Sequence, residues 1–524
     1  MKFVSDPPID LKIRKMKQRV RWREASLVER GIDQTRLVID DHLEDSPEFS
    51  FLVIGDSGAG PHQNHNPQRQ ITELMLQHSE SCRFILHTGD VVYLVGSSEY
   101  YQQNFIKPYR EFLVGGEQCD RIAYDQMIFN KPFLPVLGNH DYYDLPLLYG
   151  MLAQTTVPLQ RLLRLKLNFN IGLHGSSQGN AYAKAFLDYL QKFEDSESLG
   201  QHLDQHYTAK TETGRCLSYQ PGQFTRLPNR YYSFRYGGID FFALDSSTFN
   251  EPQPLPSTKE GDAYRRQLEI RLQDLEQQRQ QIWEASMQLN PEQPDEAEQL
   301  DDYSAKLEHL GEIKLDIEKQ LETKKTIVDT EQLNWLKQQL IESWHTDAVR
   351  GRIIYLHHPP YVTEATKWNQ AQTIAIRDRL RQVLDAVSEA IGEIPQDRPI
   401  VNLILSGHAH CLEYIRTVDT GHADSNLNWI VCGGSGYSLR RQRSEGIELS
   451  ETITNADGNS SRLVAKSLLY VGRTGQGSKK RRPYSALRID VQADEQLKLK
   501  VQPLIAQRFQ RQWIQQEEME SWII

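Results

Sequence analysis

Phe51-Leu52-Val53-Ile54-Gly55-Asp56-Ser57-Gly58 runs four apolar residues straight into a glycine and a carboxylate, and the same punctuation recurs four more times. Phe84 to His87 leads into Gly89-Asp90-Val91-Val92-Tyr93, and Leu134 to Leu137 into Gly138-Asn139-His140-Asp141. Ile353 to Leu356 leads into His357-His358-Pro359-Pro360-Tyr361, and Leu403 to Leu405 into Gly407-His408-Ala409-His410. Short apolar runs bounded mostly by Gly predict buried strands. Each polar cluster then sits at the C-terminal end of a strand, the edge where open α/β sheets place their ligands.

Gathered at one edge, these clusters offer Asp56, Asp90, Tyr93, Asn139, His357, His408 and His410 as donors. Two ions about 3.5 to 4 Å apart need roughly seven such groups, one of them bridging, and oxygen with imidazole suits iron, zinc or manganese. No Cys is needed to complete the set, although Cys411 adjoins His410.

The five segments resemble the calcineurin-like metallophosphoesterase superfamily, and in detail its purple acid phosphatase branch. Where the wider superfamily reads Asp-x-His and Gly-Asp-x-x-Asp, this chain has Gly58 and Tyr93. One ligand is lost and another gained, and a phenolate is a hard oxygen donor that a metal must help to ionise. The resemblance implies two metal ions, iron paired with iron, zinc or manganese. Asp56, Tyr93 and His410 would hold the first, Asn139, His357 and His408 the second, and Asp90 would bridge. His357 is preferred to His358 because the family pattern His-x-Pro-x-Tyr fits it. His140 would face the substrate and assist the leaving group while a hydroxide carried by the metals attacks phosphorus in line. The acidic residue that orients this His in related phosphatases is replaced by Tyr93, which leaves Asp141 as the adjacent acid.

The implied fold is a four-layer αββα sandwich of two mixed sheets, built from residues 49–247 and 328–503. A helical N-terminal arm is expected over 1–48. A helical cap insertion is expected over 145–230, with Leu159, Leu162 and Leu163 at helical spacing, a strand over Leu163 to Phe169, a Gly- and Ser-rich joint over Ile171 to Gly179, and a helix over Ala181 to Phe193. From 257 to 326 Gln, Glu, Leu, Lys and Arg dominate. Leu268, Ile270, Leu272, Leu275, Ile282 and Trp283, answered by Tyr303, Leu307, Leu310, Ile313, Ile317 and Leu321, predict an antiparallel helical hairpin with a coiled-coil seam. Such an arm could pack on its own chain, on a protein partner or on a second copy. A glycine turn at Gly433 to Gly436 is expected beside the centre, with Arg440 and Arg441 close behind it, in a solvated loop or else within reach of a second phosphate or an acidic substrate group. Lys479 to Arg482 reads as a solvated basic tip, and residues 504–524 as a helical tail.

The chain has 524 residues, a net charge of −10 and a pI near 5.9, which argues against bulk nucleic-acid or membrane-surface binding. Five cysteines without a Cys-x-x-Cys pair fit a reducing compartment. With no apolar leader at the N-terminus, cytoplasmic residence is expected. Together these readings point to hydrolysis of phosphate esters, foremost phosphomonoesters of small molecules or phosphoproteins. A phosphodiesterase of the same fold, or a catalytically weak scaffold acting through the helical arm, is the alternative.

Overall fold

The structure, a computed structural model, describes every residue except 1–3, 44, 59–65, 146–174, 291, 397, 437, 456–457, 477–478, 494–496 and 516–518. Two mixed β-sheets carry it. The larger runs in the order β13 (Glu448–Asn455), β14 (Gly458–Val471), β11 (Leu412–Thr417), β12 (Asn428–Cys432), β10 (Leu403–Ser406), β9 (Gly351–Tyr355), β8 (Ile239–Ala243), β7 (Tyr232–Tyr236), β1 (Ile32–Ile39), β6 (Gly214–Tyr219) and β5 (Ala209–Thr211). The smaller runs β17 (Gln512–Gln515), β16 (Lys498–Phe509), β15 (Arg481–Gln492), β2 (Phe49–Ile54), β3 (Cys82–His87) and β4 (Phe133–Pro135), with β18 (Trp522–Ile523) on β16. In each sheet the strands that end at the polar clusters run parallel: β2, β3 and β4 in one, β9, β10 and β12 in the other.

Period-two alternation fixes which face meets which. Phe241, Ile353 and Leu403 point into the core between the sheets, whereas their neighbours Phe242, Ile354 and Ile404 face the opposite way. Between the sheets, Phe51 and Phe84 of the smaller one stack at 5.1 Å and meet Phe234 and Phe241 of the larger edge-on, Phe84 at 5.5 and 5.3 Å. The outer face of the larger sheet is covered by two helices supplying Leu336, Leu340, Ile376, Leu380 and Leu384. The helices are α1 (Ile9–Arg19), α2 (Ala25–Val28), α3 (Pro67–Ser79), α4 (Asn180–Phe186), α5 (Ser196–His206), α6 (Lys259–Ser286), α7 (Pro294–Glu322), α8 (Thr330–Trp344) and α9 (Ala371–Ile391), of which α8 and α9 form that cover. No helix among the described residues is long and apolar enough to cross a membrane.

The two long helices α6 and α7 pack on one another through Leu268, Leu275 and Ile282 against Leu307, Leu310, Ile313 and Ile317, an apolar cluster separate from both sheet cores. Ile270 and Trp283 are exposed rather than part of this seam. Leu268, Leu275 and Ile282 recur at the seven-residue interval that keeps a side chain on one stripe, and Ile270 and Trp283 fall off it.

Several expectations are corrected. The described residues of 504–524 are not helical: the chain from Lys498 to Phe509 pairs residue for residue with β15, and β17 and β18 pair with it in turn. An available sheet edge, which satisfies a whole row of backbone groups, overrides the local helical pattern. The N-terminal arm is helical only in α1 and α2, since β1 joins the larger sheet between β6 and β7. The segment expected as a cap adds β5 and β6 to that sheet, so part of it extends the core layer. Its helix begins at Asn180 and ends at Phe186, while the expected Leu159 to Leu163 helix, the strand over Leu163 to Phe169 and residues 171–174 of the Gly- and Ser-rich joint lie outside the described residues. The basic run is not a free tip: Lys480 and Arg482 both pair with Asp302 of α7, as does Arg473.

Candidate metal centre

All seven candidate donors come from loops that leave parallel strands at one edge. Asp56 follows β2, Asp90 and Tyr93 follow β3, Asn139 follows β4, His357 follows β9, and His408 and His410 follow β10. The smaller sheet thus supplies the carboxylates, the phenol and the amide, and the larger one supplies the three imidazoles. Asp56, Asp90, His408 and His410 have φ of 52°, 55°, 67° and 45°. Left-handed backbone at a residue with a side chain costs on the order of 1–2 kcal/mol, and such outliers gather where function fixes the geometry.

Each aspartate is held by one oxygen and left bare at the other. The His408 N–H donates to Asp56 Oδ2 at 2.8 Å, and the His140 N–H donates to Asp90 Oδ1 at 2.9 Å. Asp56 Oδ1 and Asp90 Oδ2 are buried with no hydrogen-bond donor. Asp56 Oδ1 lies 3.5 Å from His410 Nε2, and Asp90 Oδ2 lies 3.4 Å from His357 Nε2. His357 Nδ1 is 2.8 Å from the Thr88 carbonyl oxygen, which fixes the ring with Nε2 facing Asn139 Oδ1 at 2.8 Å. Tyr93 Oη faces His410 Nε2 at the same distance.

A buried carboxylate oxygen without a donor costs several kcal/mol unless a cation meets it. With oxygen and imidazole as the donor set, Asp56, Asp90 and His357 lie close enough together to share an ion. The electrostatics agree. Burial, with Asp90 beside it, pushes Asp56 well above the usual carboxylate range. Against burial, His357 and His140 hold Asp90 down to about 2. Against burial, Asp90 and Asp56 lift His357 to about 9, so in the protein alone that imidazole carries a proton a metal would displace. Burial and the nearby Glu308 and Glu312 raise Tyr93 well above 10, so its phenolate needs a cation.

Gly58 is crowded. A Cβ there would lie 2.2 Å from the Val91 carbonyl oxygen, and the Tyr93 N–H donates to the Gly58 carbonyl at 2.9 Å. No side chain fits at 58 while the backbone of Val91 and Val92 stands where it does.

His140 packs its ring against Tyr93, with centroids 4.0 Å apart, and its Nε2 is buried 3.9 Å from Asp90 Oδ2. Its orienting partner is the Leu94 carbonyl, 2.5 Å from Nδ1. Asp141 accepts from the Gly138 and Val91 N–H groups at 2.9 and 3.2 Å, bracing the two loops, and burial lifts it to about 7. His358 turns toward Ser246, 2.8 Å from its Nδ1, while its ring lies 4.6 Å from that of His408.

Three residues were not singled out from the sequence. Glu308 and Glu312 of α7 reach the centre, each with a carboxylate oxygen within 4.8 Å of a His140 ring nitrogen. Lys367 donates to Glu312 at 2.6 Å and to His408 Nε2 at 2.9 Å. Arg440, expected in a solvated loop, is instead buried, donating to the Ala305 carbonyl at 3.0 Å with its Nη2 3.9 Å from Glu312. Against burial, Lys367 and Arg440 hold Glu312 well below the usual range, whereas burial pushes Glu308 up to about 8. The one signal in the sequence was the mix of Glu308, Glu312 and Asp316 at four-residue spacing on one helical face.

The family model described as calcineurin-like phosphoesterase matches residues 49–284. That stretch holds Asp56, Asp90, Tyr93, Asn139 and His140 and stops inside α6, so His357, His408 and His410 of the larger sheet lie beyond it. Among solved structures, the chain is similar to a purple acid phosphatase from yellow lupin (Lupinus luteus) seeds at 13% identity and TM-score 0.40, covering 91% of this chain and 54% of that one. It thus spans about half of the lupin protein's length. It is similar also to PhoD at 12% and 0.37, covering 92% and 69%, and to a dimetal phosphatase from Danio rerio at 13% and 0.32, covering 82% and 99%. At such scores these likenesses decide neither fold nor function. No curated protein matches.

Proposed function

We propose that this chain, whose residues 49–284 match the calcineurin-like phosphoesterase model, is a metal-dependent phosphoesterase that carries a two-metal centre and acts foremost on phosphomonoesters. The observation that carries the reading is the pair of buried carboxylate oxygens, Asp56 Oδ1 and Asp90 Oδ2, left without donors and facing His410 and His357. Asp56, Tyr93 and His410 would hold one ion, Asn139, His357 and His408 the other, and Asp90 would stand between. Bound there, the ions supply Lewis acidity toward the phosphoryl oxygens and make water a stronger acid near neutrality.

The chain's own groups then divide the remaining work. Thr88, by its carbonyl, sets the face that His357 presents. Leu94, by its carbonyl, sets His140 with Nε2 toward the space beside Asp90, where a leaving oxygen would gather charge, and a proton on Nε2 would meet it. Tyr93 stacked on that ring limits its swing. A phenolate from Tyr93 on the first ion would favour a ferric ion there, as in the purple acid phosphatase-like branch.

Metal analysis and turnover test this together. Aerobically purified protein should carry about two ions per chain, show a visible charge-transfer band that Tyr93→Phe abolishes, and hydrolyse 4-nitrophenyl phosphate faster than bis(4-nitrophenyl) phosphate. Asp90→Asn should lose metal and at least about a hundredfold in kcat/KM. Two bound ions with neither ester cleaved would overturn the hydrolytic reading, and a faster diester would overturn the substrate class.

A further inference from the structure

Helix α7 closes the centre from above, and it does so with charge. Glu312 sits between Lys367 and Arg440, with Glu308 one turn away, and both carboxylates reach the His140 side of the centre. Lys367 is 1% and Arg440 9% exposed. Two cations this deeply buried are costly unless an anion answers them. Arg440 nevertheless keeps Nη2 without a hydrogen-bond acceptor, and Glu312 keeps Oε1 without a donor. Glu312 therefore answers both cations while bonding closely only to Lys367. A phosphoryl group has three oxygens where a carboxylate has two, and it can engage an ammonium and a guanidinium at once.

The helix that carries Glu312 is seated by polar ties. Asp302 meets Arg473, Lys480 and Arg482. Asp316 accepts from the Ala371 and Gln372 N–H groups at 3.0 and 3.1 Å. Lys319 reaches Asp6 and Asn250 at 3.2 and 3.1 Å. The apolar seam of the pair faces its own partner helix. Lifting the pair therefore leaves its apolar seam intact and gives up chiefly these polar ties, with Ala297, Leu300 and Ala305 the buried apolar residues of α7 outside that seam, a smaller cost than opening a sheet core.

We propose that Lys367 and Arg440 grip the phosphoryl group of the substrate, that Glu312 holds their charge until it arrives, and that α6 and α7 form a lid which the incoming phosphate displaces. This deepens the reading of the centre as a phosphoesterase and rests on it. Glu312 is a stand-in for substrate: its carboxylate occupies the cationic niche beside His140, and substrate entry moves it out as the lid opens.

The test reads binding of inorganic phosphate to the metal-loaded full chain by calorimetry, so it does not depend on turnover. Glu312→Gln removes the resident competitor and should tighten phosphate about threefold or more, whereas Lys367→Met and Arg440→Gln should each weaken it about tenfold, with metal content unchanged. A Glu312 whose role is only to hold the fold would give the opposite sign, weaker binding on replacement. Unchanged or weakened binding in Glu312→Gln, or wild-type binding in both cation variants, overturns the proposal. Should these variants fold poorly, a second measurement applies. With Asp302→Cys and Lys480→Cys joined by a reducible thiol cross-linker, phosphate association should slow about tenfold or more and recover on reduction. Equal rates in the linked and reduced forms overturn the lid. If the phosphate pattern holds and no ester is cleaved, the hydrolytic reading fails and the anion niche stands. If esters are cleaved and the pattern is absent, the reverse is true.

Discussion

Gly58 and Glu413 show two ways in which a single residue acts on this fold. A Cβ at 58 would press to 2.2 Å of the Val91 carbonyl, so Gly58→Ala must push the loop that carries Asp90 and Tyr93. It is expected to lower the metal content and to cost about 1–3 kcal/mol of stability by overpacking, read by metal analysis and thermal melts. Wild-type metal loading in that variant would show that the loop yields freely. Glu413 works by charge. It is fully buried, accepts from the Thr363 N–H at 3.0 and 3.2 Å, and is pushed by burial up to about 7. Its folded pKa lies above its unfolded value, so folding favours the protonated form. The stability this contributes is complete below about pH 4.5 and is lost as pH rises through about 7. Glu413→Gln keeps the hydrogen-bonding shape and removes the titration, so its stability, read by thermal melts, should gain on wild type between pH 5 and pH 8, by roughly 3 kcal/mol at most. A difference between the two proteins that does not change with pH would contradict this. At this scale the sequence was most legible where a donor directly follows a strand, as with Asp56 and His357. It was silent on Leu94, because the carbonyl that orients His140 has no side-chain signature.

Helices α6 and α7 are the element whose existence was readable and whose seat was not. Apolar residues at three- and four-residue spacing in Tyr303 to Leu321 announce a helix, and Leu268, Leu275 and Ile282 give it a partner. Nothing in that pattern says that the opposite face, with Glu308, Glu312 and Asp316, lies on the metal centre, because charged faces look alike whether they meet water or buried cations. Seam and seat are separable by experiment. Leu275→Ala and Leu310→Ala each open a void in a small apolar cluster and should cost the pair about 2–5 kcal/mol. Hydrogen exchange should then quicken across 259–322 while the amides of β2, β3, β9 and β10 keep their protection. Loss of protection spreading through both sheets would mean that the pair is part of the core. The tail teaches the complementary lesson. Leu504 to Phe509 carries no strong alternation, and only the long pairing with β15 makes it a strand, a long-range contact that a local reading cannot see.

On the scale of the whole molecule, the proposed centre would tie one sheet to the other, since the candidate acidic ligands leave the smaller sheet and the candidate histidines leave the larger. The two mixed sheets were legible because their parallel strands are buried on both faces and read as continuous apolar runs. The size of the larger sheet was not, because β1, β5 and β6 join it from segments that read as arm and cap. Burying Asp56 beside Asp90 makes the ion-free protein a strained state. Burial and the neighbouring charge drive Asp56 to keep a proton, so one carboxylate must sit neutral where the loaded protein has two ionised. Ions bound there would remove that conflict and stabilise the fold by mass action, by about 4 kcal/mol per ion at a thousand times its Kd. Chelation should therefore lower the Tm by several degrees. Asp56→Asn separates the two roles. In loaded protein it removes a ligand and should lower the Tm, whereas in chelated protein it relieves the buried acid and should leave the Tm unchanged or raise it, as calorimetry with and without chelator would show. An equal loss in both conditions would mean that Asp56 serves the packing of the two sheets and not the ions between them.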